Sequence, residues 1–158
     1  MKRRALWAAS GLGLVITVGS LSATHGYANE KANQPTCTLK TLKGRYMWAG
    51  QGTILPPAFG VTEPTQGADA GFHTFNGDGT GQDLVTVRIN GHTVLKNKVA
   101  PTTYTVNGDC TGTYSANPDG QPGPSFNIFI APDGESIAVI ASDDGNYVSE
   151  VQHRVSPK

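Results

Sequence analysis

The sequence predicts an all-β fold, a single antiparallel up-and-down barrel of about eight strands, on three observations. Tight-turn signals recur at short intervals. β-Branched and aromatic runs of strand length lie between them, and no helical spacing lasts beyond about two turns. The turns read as Asn76-Gly77-Asp78-Gly79, Asn90-Gly91, Asn107-Gly108-Asp109, Pro118-Asp119-Gly120, Pro132-Asp133-Gly134 and Asp143-Asp144-Gly145, in which Gly and Asn supply the positive φ of hairpin turns. Connections this short join antiparallel neighbours. Left open, eight or nine such strands would expose two edges, and closure into a barrel removes them. The same pattern permits a two-sheet β-sandwich as the alternative.

The chain begins with a basic Met1-Lys2-Arg3-Arg4 and an apolar run from Ala5 to Val18, then small and polar residues up to Gly26-Tyr27-Ala28. That is the layout of a signal peptide over 1–28 with cleavage before Asn29, so the protein is expected to be exported, periplasmic or secreted. Removing 28 of 158 residues leaves 130, and removing Lys2, Arg3 and Arg4 leaves 9 Lys+Arg against 12 Asp+Glu, a net of −3. This mildly acidic balance argues against nucleic acid as a partner. No stretch after the leader reaches the ~20 apolar residues of a membrane-spanning helix. Residues 29–36 read as a solvated lead-in, and 37–158 as the barrel domain.

Strands are expected near 43–52, 69–76, 80–90, 92–99, 101–107, 110–116, 125–131, 135–142 and 146–155. Alternation supports several of them: Val85, Val87 and Ile89 share a face, as do Phe126, Ile128 and Ile130, and Ile137, Val139 and Ala141. In the last strand Tyr147, Ser149, Val151 and His153 fall on one side, with Val148, Glu150, Gln152 and Arg154 on the other. The segment 53–68 holds Pro56, Pro57 and Pro64 and reads as a long connection. Its Ile54, Leu55, Phe59 and Val61 suit a lid over one barrel end or a loop tucked against the outside. Cys37 and Cys110 lack CxxC neighbours, and in an exported protein the expectation is a disulfide.

Leu42-x-Gly44-x-Tyr46, Phe75-x-Gly77-Asp78-Gly79 and Tyr104-Thr105-Val106-x-x-Asp109-Cys110-Thr111-Gly112-Thr113 resemble a family of small exported bacterial proteins. Those proteins are grouped with calycin-like or allene-oxide-cyclase-like barrels. The resemblance covers about residues 37–154 and implies a barrel, but it implies no settled activity. A second echo is of lipocalins, in Gly44-x-Tyr46-x-Trp48 and Arg154. It implies that Arg154 closes one barrel end by stacking on Tyr46 or Trp48, worth roughly 1 kcal/mol.

No constellation in the sequence names a reaction. Catalytic candidates are Tyr147, His153 and Glu150, because a His–Tyr pair in a barrel mouth could bind or protonate a substrate. Asp83 and Glu150 are the mid-strand acids, whereas the remaining acids weighed belong to turns. His73 reads as a hydrogen-bonded wall residue and His92 as a solvated hairpin tip. No HxH or HxxxH spacing points to a metal, and no cofactor motif is present. The aromatic residues Tyr46, Trp48, Phe72, Tyr104, Phe126 and Tyr147 are the candidate ligand-binding set. Inward rings either fill a barrel or line an apolar pocket. The expected function is therefore binding of a small apolar or amphipathic ligand in the lumen. The alternatives are an interaction module with a filled barrel, or a cyclase or isomerase of the allene-oxide-cyclase type.

Overall fold

Two-residue alternation over most of its length lets this chain bury one face of every strand against a common axis. The structure is a computed structural model and describes residues 36–117 and 120–156. The expected signal peptide and cleavage site, the expected lead-in up to residue 35 and the Pro118-Asp119 part of one expected turn lie outside the described residues. Eight strands follow in order: β1 (Gly44–Ile54), β2 (Thr65–Phe75), β3 (Thr80–Ile89), β4 (His92–Val106), β5 (Thr111–Ala116), β6 (Ser125–Ile130), β7 (Ser136–Ala141) and β8 (Ser149–Arg154). Each pairs antiparallel with the next, and β8 returns to β1 from Tyr46↔Arg154 to Gln51↔Ser149. The sheet is a closed up-and-down barrel, which excludes the two-sheet alternative.

Nine expected runs become eight because 92–99 and 101–107 are one strand continuing through Pro101. Pro101 faces Gln82 in the β3–β4 register, and its carbonyl accepts the Asn117 N–H at 2.8 Å on the other edge. A residue's N–H and C=O leave an antiparallel strand on the same edge. The missing N–H therefore falls just past the end of β5, where the ladder asks for no donor.

The connection expected over 53–68 is shorter than its prolines suggest. Thr53 and Ile54 complete β1, and residues 65–68 begin β2, in register from Ile54↔Thr65 to Gln51↔Ala68. The prolines are confined to 55–64, which contains the cis Pro56–Pro57 bond and a 3-10 turn at Ala58–Gly60. On the neighbouring hairpin, register shifts between Val85 and Arg88 coincide with a positive φ at Asn97. This bulge re-aims the far end of β3 and β4.

The two barrel ends differ. One is floored by a 3-10 turn, Leu39–Leu42, whose Leu42 is fully buried in the core cluster that also holds Tyr46, Phe75, Tyr104, Ile130 and Ile137. Cys37 and Cys110 are joined there by the expected disulfide, with Cα atoms 4.9 Å apart. Arg154 seals the same end. Its guanidinium lies 4.7 Å over the Tyr46 ring and donates to the carbonyls of Lys43, Thr41 and Gly134, and Tyr46 Oη donates to that same Gly134 carbonyl. The stack expected for Arg154 is thus present, as a closure device. From this floor a column of rings climbs the axis: Phe75 on Tyr46 and Tyr104, His73 on Phe75, Tyr114 against His73, and Phe126 on Tyr114.

Candidate functional site

Above the aromatic floor the inward positions turn polar. β2 brings in Asp69 and His73, β3 Asp83, β4 Thr102, β5 Tyr114, and β8 Glu150 and Gln152, with Trp48 of β1 beside them. Glycine makes the room. The position a Cβ would take on Gly50 lies 2.7 Å from Asp69 Oδ1 and 3.2 Å from Glu150 Oε2, so the bare backbone of β1 lets two carboxyls from β2 and β8 lean toward each other.

Part of this layer is satisfied internally. Glu150 Oε1 accepts from Tyr114 Oη at 3.1 Å and from Gln152 Nε2 at 2.7 Å. His73 Nε2 pairs with Thr102 Oγ1 at 3.0 Å, while its ring stacks 3.7 Å from Phe75. The other His73 nitrogen, Nδ1, is 3.4 Å from Asp83 Oδ1 but outside hydrogen-bond geometry. Trp48 Nε1, Asp69 Oδ1, Asp83 Oδ1 and Gln152 Oε1 are buried with no hydrogen-bond partner. Buried polar atoms without partners are uncommon in folded proteins and mark places where something other than packing is at stake.

Removal from water sets the charge of these groups. Burial raises Asp69 to about 6. Burial, helped by the neighbouring Glu150 and Asp69 charges, raises Asp83 to about 8. Burial also raises Glu150 to about 7 against the lowering effect of its Gln152 hydrogen bond. It lowers His73 to about 3. At neutral pH the His73–Asp83 contact is therefore between an uncharged imidazole and a largely protonated carboxyl, not an ion pair. Three carboxyls with values this close titrate as a coupled set.

The polar layer forms one wall of a cavity. A deep chamber of about 80 Å³ is lined by Trp48, Asp69, Asp83, Val85, Lys98, Ala100, Tyr114, Ala116 and Phe126, among others. Above it a mouth chamber of about 320 Å³ is lined by Ile54, Phe59, Gly67, Ile89, Val94, Leu95, Pro122 and Val148, among others. Asp69, Val87, Leu95, Pro124 and Phe126 line both. The mouth is therefore apolar and the polar atoms lie deeper, the usual composition of a small-molecule site. Phe59, from the 55–64 loop, lines the mouth and is 54% exposed.

The predicted site residues separate into three groups. Trp48 and Phe126 line the cavity, and Glu150 lies buried in the polar layer. Tyr46 and Tyr104 belong to the closed floor: Tyr104 Oη accepts the Gly77 N–H at 2.8 Å and donates to Leu39 O at 3.3 Å, far from the mouth. Phe72, Tyr147 and His153 face outward, which corrects their assignment to the lumen. Phe72 carries the Arg45 guanidinium 4.0 Å over its ring, Tyr147 is 64% exposed, and His153 shares the outer face with exposed Val151. Parity alone groups Tyr147, Val151 and His153 together without saying which side is in. The buried partners of Glu150 and Gln152 decide it.

Asp69, which lines both chambers, is the cavity residue that sequence reasoning missed. Its signal was the run Gly67-x-Asp69-x-Gly71-x-His73-x-Phe75, one face of β2 in which every position points inward. Among the described residues no group of three His, Cys, Asp or Glu side chains is placed to hold a metal ion, and no helix is long and apolar enough to cross a membrane. In comparisons with known proteins, neither a family model nor a curated protein matches this chain.

Proposed function

We propose that the barrel binds a small amphipathic molecule in its lumen, with the apolar body in the mouth chamber and the polar end at Asp69, Asp83 and Trp48. The observation that supports this is the sequence of environments down the axis: an apolar mouth of about 320 Å³, then buried polar atoms with no partner in the protein. A mouth of this size falls at the lower end of the 300–1,000 Å³ typical of ligand pockets. The two chambers favour a binding barrel over a filled one. Export is the setting we propose for it, supported by the basic-then-apolar leader and by the disulfide, a bond that persists in oxidising compartments. Kinship with the calycin-like and allene-oxide-cyclase-like barrels is proposed on the motifs quoted above.

A calorimetric titration with octanol tests the reading. Saturable binding is expected, and Ala100→Leu, which fills the deep chamber from its β4 wall, should weaken it by about tenfold or more while costing about 1–3 kcal/mol of stability. Unchanged affinity in a folded Ala100→Leu protein would place the ligand's polar end outside the deep chamber and defeat the reading.

One observation favours a second reading, a cyclase or isomerase. Asp83 near 8 and Glu150 near 7 set a group that keeps its proton at neutrality beside one that is giving it up, the combination that acid–base chemistry requires.

A further inference from the structure

We propose that the deep chamber reads the charge of the ligand's polar end, accepting a protonated amine and rejecting a carboxylate. This names the ligand class for the luminal binding proposed above and rests on that reading. The geometry carries it. Asp69 from β2 and Asp83 from β3 both line the chamber, and each has an oxygen buried without a hydrogen-bond partner. Asp83 is only 4% exposed. Once ionised, such oxygens call for a donor, and an ammonium group brings three together with a neutralising charge.

The other titratable groups facing this space strengthen the preference. Glu150, on β8, leans toward Asp69 across Gly50 and adds a third carboxyl. His73, on β2 beside Asp83, is kept uncharged by burial. Tyr114, on β5, is held in its neutral phenol form, its value raised by burial and by the adjacent carboxyls. Lys98, on β4, lines the chamber as its basic side chain. One ammonium against the two lining carboxyls, with Glu150 behind Asp69, leaves the chamber net acidic once they ionise. An anionic ligand end would then meet like charge in a partly buried space where water screens it less than in bulk, and a cationic end would offset the cost of ionising the carboxyls there. The rings of Trp48 and Phe126 on the same walls add cation–π attraction.

A pH signature follows. Between about pH 6 and pH 8 the coupled set of Asp69, Glu150 and Asp83 gives up its protons, whereas an alkylamine with a value near that of lysine, about 10.4, keeps its own. Amine affinity therefore rises across that interval, and the affinity of an uncharged alcohol stays level.

The experiment is a calorimetric comparison of octylamine, octanol and octanoate at about pH 6 and about pH 8, with the Asp69→Asn and Asp83→Asn variants alongside. At the higher pH octylamine should bind about tenfold tighter than octanol, and octanoate should be weakest of the three. Each Asn variant should lower the ratio of octylamine to octanol affinity by about tenfold, both measured on the same variant. The comparison of probes on the unaltered protein stands by itself if a variant fails to fold. Octanoate binding as tightly as octylamine, or an amine advantage that survives both substitutions, overturns the inference. Octanol binding with no gain for the amine overturns it while leaving the luminal reading intact, and failure of all three probes to bind overturns both.

Discussion

Asp83 is buried beside the neutral ring of His73, and burial first, then the nearby Glu150 and Asp69 charges, make its carboxyl hold its proton to about pH 8. In an unfolded chain the same group ionises near pH 4. A carboxyl raised in this way contributes most to stability below its unfolded value and loses that contribution as pH rises through its folded value. Asp69 and Glu150, raised to about 6 and about 7, act in the same direction. His73, lowered to about 3, acts in the opposite direction, but only below about pH 6.5, where the unfolded chain takes up a proton that the folded barrel refuses. Between about pH 6.5 and pH 8 the carboxyls decide, and stability should fall by roughly 1–2 kcal/mol per pH unit. Denaturant unfolding at stepped pH checks this. Asp83→Asn should visibly flatten the slope, and a stability that rises over that interval would contradict the assignment of these groups to a dry interior.

At the scale of elements, the β6–β7 connection shows how much one turn can carry. Gly134 has φ +72, its carbonyl receives both Tyr46 Oη and Arg154 Nη2, and a Cβ on it would collide with the Thr41 carbonyl oxygen of the 3-10 turn. Gly134→Ala therefore suffers both a left-handed backbone and a backbone clash, and should cost about 2 kcal/mol or more, read as a lowered denaturation midpoint. Gly91, also at positive φ but with nothing near its missing Cβ, should tolerate alanine better. The turn was legible in Pro132-Asp133-Gly134; its role as the joint of the floor was not, since Thr41 and Tyr46 are distant in sequence. The Pro101 strand shows the opposite error. A proline reads as a break, yet β4 continues through it because β5 ends where its missing N–H points.

At the scale of the molecule, the barrel is a vessel with a sealed base and an open rim. The disulfide, the Leu39–Leu42 turn and the Arg154 cap all gather at one end, and the cavity opens at the other. The bridge spans a separation of 73 residues and ties the turn to the β4–β5 hairpin. Chain entropy puts its removal at up to about 4 kcal/mol, a large part of the 5–15 kcal/mol that holds a domain of this size. Cys37→Ala/Cys110→Ala should lower the melting temperature by several degrees. Because the bridge lies at the sealed end, ligand binding at the mouth should survive in protein that remains folded. Loss of octanol binding below the unfolding transition would show that the two ends are coupled.

Turn residues and two-residue alternation are local properties, so the sequence by itself determined the all-β class, the hairpin order, nearly every strand and the pairing of Cys37 with Cys110. Parity also determined that Glu150 and Gln152 point away from Tyr147 and His153. Which of the two sets faces inward is a property of closure: only when β8 pairs with β1 does Glu150 meet Tyr114 and Gly50, and Tyr147 meet solvent. The division of the aromatic residues into floor, cavity wall and outer surface was decided in the same way. So was the gathering of Asp69, Asp83 and Glu150, each unremarkable in its own strand. Their shifted protonation depends on being dry and close together, and both conditions arise from strands that meet only in three dimensions.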